Sequence, residues 1–413
     1  MVFLTWCSRI IAALFFLCYC YQFLYIPIAL RRRREEPAVT RCCRYAVLIC
    51  ARNEEAVIGD LLESIRRQTY PGALIRTFVM ADNCTDGTAL AARRHGAVVY
   101  TRQNDRLVGK GYALEALLEN IARDYPRGFD GYFVFDADNL LAPDYIERMH
   151  ETFCSGYEVV TSYRNSKNYA DNWISAGYAL WFLRESQYLN RARMKLGTSC
   201  AVSGTGFLFS KQILDRVGGW PFHLLTEDIE FSIDRILQGV RIGYCEKAVF
   251  YDEQPTDFRQ SWHQRTRWTK GYLQVFGKYG GELIRKILRG NWAAYDMTMN
   301  IMPAFFLSAA GLVVEGAALV LSMLHGGIAL ALPSLLRIFG SMYCTLFVLG
   351  AITTATEWNK IRATARQKLR AVLTFPLFMA TYLPIAICAI FAKAEWKPIR
   401  HEVTARMLEE RAA

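Results

Sequence analysis

The sequence predicts an α/β domain with a Rossmann-like, mixed but mostly parallel sheet, joined to a set of membrane-spanning helices. Short apolar runs alternate with helical periodicity between residues 45 and 135. Such alternation is typical of parallel strands joined by right-handed crossovers. Apolar runs of about 20 residues or more lie on both sides of this region, long enough to cross the hydrocarbon core of a bilayer.

Composition narrows the classes of protein to be considered. The chain has 413 residues, is 53% hydrophobic and carries a net charge of +11, which accommodates one large soluble domain and several membrane segments. Its 12 cysteines are scattered without paired CxxC motifs, so neither a disulfide framework nor a structural zinc site is predicted. The arginines cluster near membrane borders, which favours a bilayer surface and anionic nucleotides over nucleic acid as partners.

The first apolar run, residues 10–30, is predicted to span the membrane. Arg31, Arg32, Arg33 and Arg34 follow it where a signal peptide would have a small-residue cleavage site. Positive charges after a span mark the cytoplasmic side. The sequence therefore predicts an N-terminus outside the cell, a cytoplasmic soluble domain and a multi-pass protein of the cell membrane.

Three further apolar runs, residues 297–324, 328–356 and 371–392, are predicted to cross the membrane. Glu315 and Arg337 lie inside the first two of these runs, each 11 residues from Gly326 at the turn. Because a buried intramembrane charge is costly unless paired, we expect these two side chains to be neighbours. Three C-terminal spans, an odd number after a cytoplasmic domain, would place the basic tail outside, whereas its charge favours the inside, so the sequence leaves the side of the tail open.

Within the soluble region the predicted strands are residues 45–50, 75–81, 97–100 and 132–135, and a helix is predicted at 110–124. The pattern is less regular after residue 145, with a helix predicted at 171–196 and basic, aromatic interfacial helices from 258. Ligands of parallel sheets bind at the carboxyl ends of the strands. Asp82 and Asp136 directly follow predicted strands, and the motif from Gln264 to Trp268 lies near the membrane border.

Asp136 and Asp138 stand two residues apart at the end of the fourth predicted strand. Side chains at i and i+2 of a strand point the same way, so the two carboxylates repel unless a cation neutralises them. Carboxylate oxygens suit Mg²⁺ or Mn²⁺, which usually keep positions for substrate phosphates. The pair predicts a metal site that would neutralise a departing diphosphate, although aspartates capping a solvated turn would give the same tripeptide.

Asp228 is the candidate general base of the sequence. It follows Thr226 and Glu227 after an apolar stretch, and a carboxylate facing a cleft can accept the proton of an attacking hydroxyl. The alternative is a helix start, with Thr226 as the cap and acidic residues in the first turn.

Gln264, Arg267 and Trp268 are spaced to share one face of a helix. An arginine fork suits phosphate oxygens, and a tryptophan face suits the C–H side of a sugar ring. The alternative is a Trp/Arg anchor at the membrane border. Lys110, between two glycines before a helix, could meet a phosphate, while Asp82 could hold a base or ribose or cap its turn.

Taken in order, these motifs resemble those of the membrane-integrated family 2 glycosyltransferases, the group of the cellulose, hyaluronan, chitin-oligosaccharide and poly-N-acetylglucosamine synthases. The resemblance covers nearly the whole chain and implies a GT-A catalytic fold, a UDP-sugar donor, Mg²⁺ or Mn²⁺, and inversion to a β-linkage with Asp228 as the base. Cys50-Ala51-Arg52 replaces the commoner proline-containing start of the first motif.

The resemblance also assigns roles to residues by position. The residues that it assigns to binding the nucleotide sugar are Ala51, Arg52, Asn53, Glu54, Asp82, Lys110, Asp136, Gln264, Arg267 and Trp268. The residues that it assigns to the acceptor side of the site are Gly204, Thr205, Gly206, Glu227 and, again, Trp268. The metal ligands would be Asp136 and Asp138, and the catalytic residue Asp228.

The sequence thus predicts a hexosyltransferase that extends a polysaccharide, processively and coupled to export, and that is compatible with accessory export or regulatory subunits. The alternative is transfer of a single sugar to a membrane lipid, which the small number of spans keeps open. The predicted divisions are a transmembrane helix (1–34), a cytosolic GT-A domain (35–257), interfacial helices (258–295), transmembrane helices (296–392) and a basic tail (393–413).

Overall fold

The structure is a computed structural model that describes residues 2–31, 41–325, 328–392 and 401–403. An eight-stranded sheet forms the centre of its soluble part. The strands are β1 (Tyr45–Ala51), β2 (Ile75–Asp82), β3 (Val98–Arg102), β4 (Gly131–Asp136), β5 (Leu140–Leu141), β6 (Val159–Ser166), β7 (Phe207–Ser210) and β8 (Ile242–Asp252).

The strand order is β3-β2-β1-β4-β7-β6-β8-β5. Strands β1 to β4 pair in parallel, as do β6 and β8, whereas β7 runs antiparallel to both of its neighbours. The predicted mixed, mostly parallel sheet is confirmed. The carboxyl ends of β1, β2 and β4 therefore meet at one edge of the sheet.

Helices flank the sheet and continue beyond it as long apolar segments. They are α1 (Val2–Tyr19), α2 (Tyr21–Leu30), α3 (Ile58–Arg66), α4 (Thr88–Arg94), α5 (Lys110–Asp124), α6 (Tyr145–Cys154), α7 (Trp173–Arg184), α8 (Arg191–Leu196), α9 (Lys211–Val217), α10 (Glu227–Leu237), α11 (Phe258–Leu288), α12 (Trp292–Ile301), α13 (Pro303–His325), α14 (Ile328–Thr356), α15 (Ala365–Ala380) and α16 (Tyr382–Phe391). A π-helical turn, Glu185–Asn190, joins α7 to α8.

The sheet separates two apolar layers. Helices α3, α4 and α6 pack on one face, with Leu61 and Met149 fully buried. Helices α5, α7 and α10 pack on the other, with Leu117 and Ile233 fully buried. Apolar residues repeating every three or four positions give each helix one buried stripe, and burial of these stripes holds the sheet between the two layers.

Four segments of the described residues are long and apolar enough to cross a membrane: Val2–Leu30, Phe306–Leu324, Phe339–Thr356 and Ala365–Phe391. The first begins earlier than predicted, because residues 2–9 are mostly apolar and continue the same helix. Helix α1 packs against α13, and α14 packs against α15. The predicted helical membrane region therefore accompanies the α/β domain.

Glu315 on α13 accepts a hydrogen bond from the Ser8 hydroxyl on α1. This contact joins the first membrane segment to the second. The side chain of Arg337, its expected neighbour, lies outside the described residues, as do Gly326 and the run Arg32 to Arg34.

Helix α11 is one continuous helix of 31 residues, and it covers the basic, aromatic segment for which the sequence predicted interfacial helices. Arg265 in its first third is fully buried. The Arg265 Nη1 donates to Thr381 Oγ1 at 2.6 Å, and the guanidinium lies 4.6 Å from the Phe378 ring centroid and 4.8 Å from that of Tyr382. These contacts fix α11 to α15 and α16.

Candidate active site

A cavity of about 1110 Å³ opens at the carboxyl ends of β1, β2 and β4. Its polar end is lined by Ala51, Arg52, Glu54, Asp82, Lys110, Asp136, Asp138, Gly204, Glu227, Asp228, Gln264, Arg267 and Trp268. Nearly all residues predicted from the motifs therefore line one cavity, although they come from segments more than 200 positions apart in the sequence.

Asp136 and Asp138 lie beside cationic groups at the end of β4. The Lys110 ammonium donates to the Asp136 carboxylate and, at 2.7 Å, to the carbonyl oxygen of Gly204. Asp138 is only 4% exposed, and its Oδ2 accepts from the backbone N–H of Glu253 at 2.8 Å. Lys110 thus bridges the metal motif and the glycine turn, a position from which it can also meet a phosphate.

His401 is a site residue that the sequence reasoning missed. Its Nδ1 lies 3.0 Å from both carboxylate oxygens of Glu54, and it also lines the cavity. Burial alone would lower the pKa of His401, but the negative charges of Asp138 and Glu54 raise it to about 10. At neutral pH the imidazolium therefore places a positive charge beside the carboxylates of Glu54 and Asp138.

The segment around His401 is held over the site by backbone hydrogen bonds. The N–H groups of Glu402 and Val403 donate to the Glu253 carboxylate at 2.8 to 3.1 Å, and Lys167 Nζ donates to the Val403 carbonyl at 3.1 Å. The segment follows the last apolar helix by about ten residues. Sequence reasoning treated this region only as a basic tail.

Arg164 and Asp252 form a second group that no motif indicated. Arg164 Nε donates to Asp252 Oδ2 at 2.6 Å, and its Nη1 donates to the Ser203 carbonyl at 3.1 Å. Burial, together with the charge of Asp138, raises the pKa of Asp252 to about 6 although Arg164 opposes this. An aspartate that ends an apolar strand, as Asp252 ends β8, is the signal that could have identified it.

The carboxylates at this end of the cavity fit a hard divalent cation. Asp136 and Asp138 line the cavity with Asp252, whose Oδ1 is buried and has no hydrogen-bond partner among the described residues. An unpartnered buried carboxylate oxygen is costly unless a cation or donor reaches it. An all-oxygen set of this kind is the one that Mg²⁺ and Mn²⁺ prefer.

Glu227 and Asp228 open helix α10 beside this group. Burial, then the charge of Asp228, raises the pKa of Glu227 to about 7, and burial raises the pKa of Asp228 as well. Gly204 has a φ of +78°, and a Cβ built on it would lie 3.9 Å from Asp228 Oδ2. The glycine turn therefore leaves open space in front of the candidate base.

Helix α11 presents Gln264, Arg267 and Trp268 to the cavity on one face, as their spacing predicted. Arg267 Nη1 donates to the Leu225 carbonyl at 2.7 Å, next to the turn that carries Asp228. Gln264 Oε1 is buried and has no partner among the described residues. The face therefore offers a cation and an amide oxygen to a ligand in the cavity.

Close packing brings α11 to the base. A Cβ on Gly271 would lie 2.5 Å from Thr226 Cγ2, so only glycine permits this approach. Trp268 packs edge-on against Tyr178 and Phe182, with ring centroids 5.8 Å and 6.2 Å away. These contacts fix the indole at the border between the polar and apolar parts of the cavity.

Three predicted residues hold the site together without lining the cavity. Asn53, with a φ of +59°, accepts a hydrogen bond from the Thr85 N–H at 2.8 Å and so ties the first motif to the next turn. Thr205 Oγ1 accepts from the Asp136 N–H at 2.9 Å. The Gly206 N–H donates to the Val134 carbonyl at 2.9 Å. These positions therefore orient the neighbouring ligand-facing groups.

The same cavity continues past Trp268 into the apolar helices. Its far end is lined by Ser8, Ile11, Phe15, Ala304, Leu307, Gly311, Leu312, Glu315, Leu346 and Leu349. Most of these side chains are aliphatic or aromatic, and the hydrogen-bonded pair Ser8 and Glu315 lies among them. The candidate base and the membrane segments thus share one continuous space.

Comparison with known protein families places this geometry in context. The model of the family described as "Glycosyltransferase like family 2" matches residues 43–271. The chain is 28% identical over 239 residues to the beta-monoglucosyldiacylglycerol synthase of Synechocystis sp., covering 56% of this chain and 48% of that protein. It is 21% identical to the probable glycosyltransferase YdaM of Bacillus subtilis, covering 87% of this chain and 85% of that protein.

Another relative is the poly-beta-1,6-N-acetyl-D-glucosamine synthase of Staphylococcus aureus, 27% identical over 55% of this chain and 54% of that protein. The chain spans about half the length of several of the curated relatives it matches. Among solved structures, the mannosyltransferase PcManGT from Pyrobaculum calidifontis, in complex with GDP-Man and Mn²⁺, superimposes with a TM-score of 0.60 at 16% identity. The superposition covers 94% of this chain and 99% of that one.

The structural likeness confirms the GT-A fold that the motifs implied. The family match extends over more than half of the chain and includes β1 to β8 and the start of α11. It also spans the metal motif, the candidate base and Gln264 to Trp268. The chain therefore belongs to the family 2 glycosyltransferases.

Proposed function

We propose that the protein is an inverting glycosyltransferase that transfers a single sugar from a UDP-sugar to a hydroxyl group of a membrane lipid. The observation that carries the proposal is the continuous cavity from Asp228 to the apolar helices. A lipid acceptor needs a polar site for its hydroxyl and an apolar space for its chains, and this cavity offers both in that order. Processive extension of a polysaccharide, which the sequence favoured, is the competing outcome of the test below.

The lining beyond Trp268 favours a lipid over a polymer. A sugar chain needs hydrogen-bonding groups and aromatic faces along its path. Leu307, Leu312, Leu346 and Leu349 instead line the far end with aliphatic surface, which excludes water and accepts acyl chains. The similarity to relatives named beta-monoglucosyldiacylglycerol synthase supports the same acceptor class.

The chemistry assigns Asp228 as the base. It accepts the proton of the acceptor hydroxyl while that oxygen bonds to the anomeric carbon from the face opposite the diphosphate. The bond between the anomeric carbon and the phosphate oxygen breaks, and the nucleoside diphosphate leaves with its electrons. Attack from the opposite face inverts the configuration, so an α-linked donor gives a β-linked product.

The remaining residues bind and orient the donor. Lys110 and Arg267 both line the cavity and lie near enough to Glu227 to oppose the rise of its pKa, so they can stabilise the negative charge of the leaving diphosphate. Asp136, Asp138 and Asp252 would hold Mg²⁺ or Mn²⁺, which when bound neutralises phosphate charge. Gln264 offers the donor its amide oxygen, which has no partner in the part of the chain that the structure describes, and Trp268 offers its ring at the acceptor side.

The same proposal assigns a membrane arrangement. The N-terminus lies outside and the GT-A domain, residues 35–257, faces the cytoplasm; residues 258–295 lie at the interface and residues 296–392 enter the bilayer. The basic Arg31 at the end of α2 supports this orientation. The cavity then receives nucleotide sugar from the cytoplasm and lipid from the bilayer.

Product size tests the proposal. The full chain in lipid nanodiscs containing diacylglycerol is incubated with Mn²⁺ and a panel of radiolabelled UDP-glucose, UDP-N-acetylglucosamine and GDP-mannose. We expect one labelled glycolipid carrying a single sugar, formed with a UDP-sugar. A ladder of polymer products, or label in water-soluble material alone, would show that the acceptor class is wrong.

Filling the apolar end of the cavity should block the acceptor and spare the donor. Gly311 lines the cavity, and a Cβ there lies 3.9 Å from Ile11 Cγ2. We expect Gly311→Phe to lower glycolipid formation by about tenfold or more, with nucleotide-sugar binding unchanged, because a ring would occupy the space of an acyl chain. The measurement is kcat/KM for lipid beside donor affinity by calorimetry.

Gly316→Phe on the same helix is the matched control, because Gly316 is exposed and outside the cavity. Its kcat/KM for lipid and its donor affinity should both equal those of the unmodified protein. Equal losses in the two variants would indicate a general effect on the membrane helices and would argue against an acyl-chain site at Gly311.

The activity should fall in acid because Glu227 and Asp228 titrate as a pair. The raised pKa of Glu227, about 7, means that the pair takes up its first proton near neutrality. We expect kcat/KM to fall with falling pH below about 7, since a protonated base cannot accept the hydroxyl proton. Glu227→Gln removes one charge from the pair and should move the fall in kcat/KM to lower pH. If the pH at which kcat/KM falls is the same in this variant, another group is responsible for the titration.

A further inference from the structure

A cluster of three soft metal-binding side chains lies at the opposite end of the sheet from the active site. Cys43 precedes β1, while His150 and Cys154 stand one turn apart on α6. β1 itself separates Cys43 from the cavity by about 20 Å, at ~3.3 Å per residue. The cluster cannot be recognised as a motif in the sequence, because more than 100 residues separate its two parts.

The distances suit a single ion. One ligand atom from each of the three residues lies within 4.8 Å of the others, and Cys154 Sγ is 3.7 Å from His150 Nε2. Zinc bonds of about 2.3 Å to sulfur and 2.1 Å to nitrogen separate those atoms by roughly 3.6 Å in a tetrahedral site. Small adjustments of side chains already in place would therefore complete the coordination.

The surroundings orient the ligands. The Tyr45 hydroxyl lies 2.8 Å from His150 Nδ1, so this contact occupies one ring nitrogen and leaves Nε2 for an ion. The Tyr70 ring lies 4.9 Å from the imidazole centroid and holds its plane. Burial raises the pKa of the Cys43 thiol, and Arg41, which hydrogen-bonds its sulfur, opposes that rise. Cys43 is 1% and His150 5% exposed, whereas Cys154 is half-buried and provides access from solvent.

We propose that Cys43, His150 and Cys154 bind Zn²⁺, with water in the fourth position, and that the ion joins the start of β1 to the end of α6. Two thiolates and an imidazole are ligands that zinc selects over the hard cations of the active site. The bound zinc stabilises the end of the sheet that lies away from the active site, and it takes no part in sugar transfer.

Cobalt substitution tests the site without interference from the carboxylate site. The full chain, purified with a reductant and stripped by a chelator, is titrated with Co²⁺. We expect the near-ultraviolet charge-transfer band of thiolate-bound cobalt and the visible bands of tetrahedral coordination, displaced by Zn²⁺. Zn²⁺ should also raise the thermal unfolding midpoint of the reduced protein.

The variants separate this site from others. Cys154→Ala should lose the band and the thermal shift, whereas Cys245→Ala, which removes a buried thiol on β8 outside the cluster, should keep both. Asp138→Asn should also keep both, because oxygen ligands give no thiolate band. Absence of the band in the reduced wild-type protein, its persistence in Cys154→Ala, or a Cys43–Cys154 disulfide that excludes the metal would each overturn the proposal.

Discussion

The Asp228→Asn variant is expected to lose about 10³-fold in kcat, within the range that a positioned general base contributes. Asparagine keeps the shape of the side chain and cannot accept the acceptor's proton. The site around it should remain intact, because Gly204 leaves open space in front of the side chain and the amide oxygen of asparagine can still accept the backbone N–H of Ile229 that the carboxylate accepts. The measurement is the single-turnover rate with saturating UDP-sugar and lipid acceptor.

Donor affinity distinguishes loss of the base from loss of the fold. We expect UDP-sugar to bind Asp228→Asn with near-normal affinity, since the donor contacts come from other residues. Asp234→Asn serves as the control, because Asp234 lies on the same helix, bonds to Arg235 and is outside the cavity. Near-normal turnover in Asp228→Asn would defeat its assignment as the base.

The second large effect is expected for Asp138→Asn. A bound divalent ion supplies several kcal/mol of charge stabilisation to a departing phosphate, equivalent to about 10²-fold or more in kcat/KM. The amide oxygen of asparagine can still accept the Glu253 N–H that Asp138 Oδ2 accepts at 2.8 Å. The variant should therefore fold normally and lose the metal-dependent part of the reaction.

Two measurements check this expectation: activity as a function of Mn²⁺ concentration, and donor binding with and without Mn²⁺. Asp138→Asn should need far more Mn²⁺ for half-maximal activity, and Mn²⁺ should add little to its donor affinity. Asp144→Asn, at the start of α6 and outside the cavity, should match the unmodified protein. An unaltered Mn²⁺ requirement in Asp138→Asn would remove Asp138 from the set of metal ligands.

The parallel half of the sheet was readable from sequence because its strands are fully buried. Residues 45–50 and 132–135 are continuous apolar runs, and each ends in polar residues that line the cavity. Helix α5 matches its predicted bounds because its apolar residues recur at helical spacing. The mixed character of the sheet was predicted, but its antiparallel strand β7 was not located, since it is only four residues long and pairs with strands distant in the chain.

The site was predicted where short motifs carry it and missed where the fold alone assembles it. Asp136, Asp228 and Arg267 belong to motifs with a recognisable order. His401 comes from a tail 347 positions away from its partner Glu54, and nothing local in the sequence connects the two. Arg164 and Asp252 meet only because β6 and β8 pair in parallel, a register that periodicity does not reveal.

The position of Arg265 has a consequence for attempts to isolate the catalytic part. A fragment that ends after α11 would retain this guanidinium while losing the hydroxyl of Thr381 and the rings of Phe378 and Tyr382 that enclose it. The same truncation would uncover Ile174, Tyr178 and Phe182, which pack in one apolar cluster with Phe378, and contiguous exposed apolar surface promotes association between copies. A water-soluble truncated enzyme is therefore expected to aggregate, and purification needs the intact chain in detergent or lipid.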